Sequence, residues 1–125
     1  MKVEVSVGEY FDKFSILQIK EEKLEDPLKL IHVKKEKVYL ESIMIGFEDV
    51  LETDSYLNLH KINLSLWDIE DRIREKEYLK EYDEEFIELS RKIYIMNDER
   101  FNYKNEISKM KSSEYMEQKS HKNCR

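Results

Sequence analysis

Helix-breaking residues are scarce in this chain, and this scarcity limits its fold more than any other feature. Only two glycines and one proline occur among 125 residues. The few breakers and capping residues therefore divide the chain into long, uninterrupted segments.

Capping signals mark four predicted helices. Ser6-Val7-Gly8-Glu9 is a capping box, and Asp26-Pro27 joins a strong N-cap to the residue favoured at a first helical position. Thr53-Asp54-Ser55 and Asp83 are further capping sites. The predicted helices run over Val7–Glu25, over Pro27–Glu52, from Thr53-Asp54-Ser55 to about Tyr78, and over Glu84–Lys111, where Ser112 and Ser113 mark the end.

Apolar residues in each segment recur at alternating steps of three and four, as Leu59, Ile62 and Leu66 do. Such seams pack at shallow angles, and short connections make neighbouring helices antiparallel. The sequence therefore predicts an all-α fold, an antiparallel bundle of four helices of which the last three are long. We expect one domain over residues 1–125, with a short extended start and a polar tail from about residue 112.

Composition narrows the functional classes. Charged residues make up 40% of the chain, the net charge is -6, and no apolar stretch is long enough to span a membrane. No basic-then-apolar leader opens the sequence, so we expect a cytoplasmic protein without a membrane partner. The acidic balance argues against nucleic-acid binding. Codon-biased residue usage indicates an AT-rich genome, such as that of a virus or reduced bacterium; a viral protein would occupy the host cytoplasm.

Motifs for catalysis or metal binding are missing. The chain has no glycine-rich phosphate loop and no Ser-His-Asp arrangement, and His32 and His60 are expected at the surface. His121 and Cys124 supply only half of a zinc site. We therefore expect no catalytic residue, no metal and no cofactor.

One enzymatic alternative stays open. All-α nucleotide pyrophosphohydrolases hold magnesium with carboxylates spaced by three on facing helices. Glu9/Asp12 and Asp68/Asp71 are two such pairs at matching height, although pairs with this spacing occur about as often in this sequence as chance predicts.

Charged residues interrupt the apolar seams at Glu21, Lys37 and Arg100. They either extend to solvent or pair across the bundle, or they form a polar pocket inside it. Counting residues from each turn places a mixed group of side chains in one layer: Glu9, Lys13, Lys37, Trp67, Asp68, Asp71, Asn97 and Arg100.

A pocket of this kind favours a small anionic ligand, such as a nucleotide or nucleotide-sugar. Arginine and lysine suit phosphate or carboxylate groups, and an indole stacks on a base or sugar. The candidate ligand-binding residues share one face on each of three helices: Glu9, Lys13 and Lys20 on the first, Trp67, Asp71 and Arg74 on the third, and Asn97, Arg100 and Lys104 on the fourth.

Apolar residues outside the seams favour association. These are Ile43, Val50, Leu57, Leu64, Ile87 and Ile95. Because exposed apolar patches mark interfaces, we expect a homodimer or higher oligomer. The sequence thus predicts a non-enzymatic binding or oligomerisation protein, and a magnesium-dependent pyrophosphohydrolase is the alternative.

Several motifs resemble an uncharacterised all-α family of small bacterial and viral proteins. They are Val5-Ser6-Val7-Gly8-Glu9, Asp12-Lys13, Leu66-Trp67-Asp68-Ile69-Glu70-Asp71 and Asn97-Asp98 with Arg100. The resemblance implies a domain of unknown function that is sometimes encoded near glycosyltransferases. It implies no established activity.

Overall fold

Helices build almost the whole molecule. The computed structural model describes residues 1–119, and side chains as far as residue 111. The elements are α1 (Val7–Lys23), α2 (Pro27–Ser42), a short 3₁₀ helix (Glu48–Glu52), α3 (Asp54–Leu79) and α4 (Glu84–Lys119). The structure is 83% helical with no strand among the described residues, so the predicted all-α bundle is confirmed.

The residues predicted to cap the four helices do so. In each case a side-chain oxygen accepts a hydrogen bond from a backbone amide of the first turn, which satisfies one of its unpaired donors. The pairs are Ser6 with Glu9 at 3.1 Å, Asp26 with Leu28 at 2.9 Å, Thr53 with Tyr56 at 3.2 Å and Asp83 with Phe86 at 2.9 Å.

The predicted length of the second helix is wrong. α2 ends at Ser42, and only α3 and α4 are long. The chain turns at Gly46, whose φ of 91° is a conformation that glycine adopts without the strain other residues incur. The 3₁₀ helix then carries Val50 into the core, where it is fully buried, so Val50 is not one of the uncovered residues.

The predicted ends of α1 and α4 also shift. α1 stops at Lys23 instead of Glu25, and α4 continues through Ser112 and Ser113 to Lys119. Serine lowers helix propensity only slightly, and no glycine or proline follows to stop the helix. The predicted polar tail from residue 112 is therefore helical to Lys119, and its remainder lies outside the described residues.

The bundle is layered, with α1 in the middle. α1 packs against α2 on one side and against both helices of the α3–α4 hairpin on the other. α2 has no extensive contact with α3 or α4, whereas the 3₁₀ helix rests on α3. The core lies where these layers meet: Phe11, Phe14, Leu17, Val33, Leu40, Met44, Val50, Tyr56, Leu59 and Ile107.

The far end of the hairpin extends beyond this core. Lys76 is the one buried residue within 67–106, all of which are described. Its ammonium nitrogen lies 2.8 Å from Asp83 and 3.0 Å from Glu85, across the turn that joins the two helices. Ion pairs therefore hold the hairpin end together where the apolar seam is only partly covered.

Candidate functional site

A buried carboxylate lies where α1 meets the hairpin. Asp12 is 2% exposed. Its Oδ1 accepts from Arg100 Nε at 3.0 Å, and its Oδ2 accepts from Arg100 Nη2 at 2.6 Å. The amide of Asn63 also donates to Oδ1, at 3.0 Å. Asp12 thus has the forked, charge-assisted bonding that a buried carboxylate requires.

Hydrogen bonds continue from Asp12 toward α3. The Asn63 amide also donates to Ser15 Oγ at 3.1 Å, and Ser15 Oγ lies 2.8 Å from His60 Nδ1. The His60 ring stacks on Tyr56 with centroids 6.1 Å apart. We call Asp12, Ser15, His60, Asn63, Arg100 and Lys104 the polar network.

The polar network also reaches the start of α1. Lys104 Nζ lies 2.6 Å from Glu9 Oε1 and 3.7 Å from Asp12 Oδ2. Gly8 allows this close packing, because a Cβ at that position would lie 2.0 Å from the Lys104 carbonyl oxygen. The Gly8 amide donates to Ser108 Oγ at 2.8 Å.

The charges of the polar network are locally compensated. Arg100 and Lys104 face the carboxylates of Asp12 and Glu9. The hydrogen bonds to Asp12 raise the pKa of Arg100. Burial lowers the pKa of His60, since a charged imidazolium would lose hydration there.

Four of the nine predicted site residues lie together. Glu9, Arg100 and Lys104 belong to the ion pairs just described, and Asn97 Oδ1 accepts from Arg100 Nη1 at 3.2 Å. Trp67 lies beside them, since it lines a cleft of about 210 Å³ with Arg100 and Asn63.

The other four predicted residues lie elsewhere. Lys13 Nζ is 3.6 Å from Glu36 Oε2 of α2, and Lys20 lines a separate cleft between α1 and α2. Asp71 and Arg74 are exposed beyond the cleft and form no ion pair with the described residues. Lys13 and Lys20 therefore face α2, whereas Glu9 on the same helix faces α4.

Charges on the seams pair across the bundle. Lys37 Nζ lies 3.0 Å from Glu21 Oε1, so these two interruptions compensate each other. Asp68 is exposed and lies 3.6 Å from Lys23, so it pairs with α1 and not with Arg100. Charged residues of the predicted single layer therefore belong to several separate ion pairs.

Sequence reasoning did not assign Ser15, His60 and Asn63 to a site, and it placed Asp12 only in the magnesium alternative. Asp12 and Ser15 follow Phe11 and Phe14 on the buried face of α1, so their spacing along the apolar seam was the available signal. His60 is half-buried against Tyr56 and Ser15, whereas a surface position was expected.

The polar network is poorly arranged for catalysis. Ser15 is fully buried, so its hydroxyl has no access to a substrate despite its contact with His60. Arg100 and Asn63 already occupy Asp12, which the magnesium alternative requires as a ligand. Among the described residues, no group of three or more histidine, cysteine or acidic side chains could hold a metal ion.

A second face of α2 is apolar and uncovered. Leu28, Ile31 and Val38 are 71%, 60% and 63% exposed. They lie on the side of α2 that faces away from α1. Val33 and Leu40, which are buried, lie on the opposite side of the helix. Leu28, Ile31, Lys35 and Val38 form what we call the outer face of α2.

Comparison with known protein families identifies an uncharacterised domain. Residues 1–124 match a family of unknown function, DUF6165. No curated protein and no solved structure matches the chain. No helix in the described part of the chain is both long and apolar enough to cross a membrane.

Proposed function

The chain belongs to a family of unknown function, DUF6165, and we propose that it is a non-enzymatic helical interaction protein that acts by self-association. The observation that carries this proposal is the outer face of α2. Apolar residues at helical spacing are left in water on a helix whose opposite side is already packed. Uncovered apolar stripes of this kind are typical of interfaces.

The polar network supports the same conclusion. Its two cations are paired with Glu9 and Asp12, and its buried polar atoms bond to one another. Such a network orients α1 on the hairpin and directs most of its charge to partners within the protein. Structural pairing accounts for the charged seam residues, so the interaction role does not depend on a pocket.

Light scattering over a concentration series tests this proposal. We expect the mass of the full chain to rise above the 15.3 kDa of one copy as the concentration passes through the micromolar range. A mass that stays at 15.3 kDa up to several hundred micromolar would overturn self-association.

A small anionic ligand is the second candidate, since Trp67 and Arg100 line one cleft. An indole and a guanidinium edge suit a base or sugar beside a phosphate. A nucleotide and a nucleotide-sugar should then raise the melting temperature by mass action. They should also change the fluorescence of Trp67, the only tryptophan in the chain. No effect at millimolar concentration would remove this candidate.

A further inference from the structure

We propose that two copies of this chain associate by antiparallel pairing of α2 with α2, through the outer face of each. This inference rests on the proposed self-association and specifies its surface and register. A second copy is the occupant because α2 carries complementary charges, Lys34 and Glu41, along one side of this face, as the following geometry shows.

The outer face has the spacing of a helix–helix seam. Leu28, Ile31, Lys35 and Val38 follow one another at steps of three, four and three. A stripe with these steps faces a partner helix along its whole length. α2 has 16 residues, or about 24 Å, and nothing in the described chain covers this side.

Lys35 determines the direction of pairing. In a parallel pair, Lys35 would lie beside Lys35 of the partner subunit, and two like charges would meet in the seam. In an antiparallel pair centred between Lys35 and Val38, each Lys35 stem packs on Val38 of the partner subunit. Its ammonium then extends to water.

The antiparallel register also pairs the flanking charges. Lys34 borders the outer face on one side and then lies opposite Glu41 of the partner subunit. The two-fold symmetry of the pair makes this contact twice. Lys34 forms no ion pair within the described residues. Glu41 lies 3.8 Å from Lys37, which has a nearer partner in Glu21 at 3.0 Å. Both charges are therefore available.

The interface is small. Stable dimers usually bury about 800 Å² on each partner, and one pair of 16-residue helices supplies less. We therefore expect a dissociation constant in the micromolar range.

Charge reversal on the full chain tests the register. Sedimentation should show a dissociation constant raised about tenfold by Lys34→Glu and by Glu41→Lys, because each variant opposes like charges twice. The double variant restores opposite charges and should return to within about threefold of the wild type. Lys92→Glu, at an exposed site on α4, is the matched control and should leave association unchanged.

An apolar pair of variants tests the surface itself. Val38→Glu should abolish the dimer and Ile87→Glu, on exposed α4, should not. Both residues are exposed, so the helical circular dichroism should stay unchanged in each variant, as should the melting temperature measured below the dissociation constant.

The failures of the two proposals are distinguishable. A wild type that is monomeric at all concentrations overturns both. A dimer that Ile87→Glu abolishes and Val38→Glu does not overturns the α2 surface and leaves self-association standing. A dimer sensitive to Val38→Glu but indifferent to both charge reversals overturns the antiparallel register.

Discussion

At the scale of single residues, Asp12 is a buried charge that a few neighbouring side chains stabilise. Its carboxylate is almost fully buried and depends on Arg100 for two hydrogen bonds. The sequence identified Arg100 as a charge in an apolar seam, but it gave no means of identifying a partner 88 positions away. Counting along the bundle places Glu9 and Asp68 in the same layer as Arg100, but it does not show which face of its helix each residue takes.

Arg100→Met should destabilise the fold. Removing one partner of a buried ion pair typically costs about 3–5 kcal/mol, and nearby Lys104 should reduce this to about 2–3 kcal/mol. Urea unfolding measures the loss. Asp12→Leu combined with Arg100→Met removes both charges and should recover much of it. Unchanged stability in Arg100→Met alone would show that the pair contributes nothing.

His60 should make stability depend on pH. Burial lowers its pKa in the folded state, so the unfolded chain binds a proton more readily. Neutral His60 therefore contributes to the free energy of unfolding. The contribution is complete above the pKa of about 6.5 in the unfolded chain, and it is lost as the pH falls through the lower pKa of the folded state. Between about pH 7.5 and pH 5, the free energy of unfolding should therefore fall less in His60→Gln than in the wild type.

His32→Gln is the matched control for this pH dependence, because His32 is exposed. Its pH profile should follow that of the wild type. Equal profiles for His60→Gln and the wild type would contradict the expected role of burial.

At the scale of helices, the close contact between α1 and α4 leaves no room for a side chain at Gly8. A Cβ on Gly8 would lie 2.0 Å from the Lys104 carbonyl oxygen, which is backbone and has little freedom to move. Gly8→Ala should therefore destabilise the protein by about 2–3 kcal/mol in urea unfolding, although alanine is the better helix former.

Gly46→Ala is the control for Gly8→Ala, because it introduces backbone strain without a steric clash. Gly46 has a φ of 91° and no atom within 4 Å of a built Cβ, so its substitution should cost only about 1 kcal/mol. A Gly8→Ala variant as stable as the wild type would mean that α1 shifts on the hairpin without loss.

The boundaries of α2 show what periodicity leaves undetermined. Met44, Phe47 and Leu51 continue the apolar spacing of α2, so the pattern predicted one unbroken helix. α2 instead ends at Ser42, where the Ile43 and Met44 amides bond the carbonyls of Leu40 and Glu41, and the 3₁₀ helix still directs apolar side chains to the same core. Helix starts were predictable because a capping side chain acts on its own first turn, whereas this break depends on packing after the turn.

The whole molecule should be unevenly stable. α1 and the parts of α3 and α4 beneath it share the core, whereas residues 70–79 and 84–92 contain only one buried residue, Lys76. Amide hydrogen exchange should therefore be slower in α1 and around Ile107 than in the far end of the hairpin. Uniform protection along α3 and α4 would contradict this division.

The fold class was predictable at this scale, but the layering was not. Seam spacing shows that each helix has an apolar side, and it predicted four antiparallel helices. It does not show which neighbour each side meets. Nothing in the sequence distinguishes Leu28 and Val38 from ordinary surface residues, whereas the structure shows that α2 packs extensively on α1 and leaves both exposed.

The central position of α1 has a consequence for synthesis on the ribosome. The Gly8 amide bonds Ser108, a residue made one hundred positions later. α1 emerges before the other three helices and therefore has no complete packing surface until most of α4 has been translated. The nascent chain must keep Phe11 and Phe14 from other hydrophobic surfaces during that interval, until α4 closes the core over them.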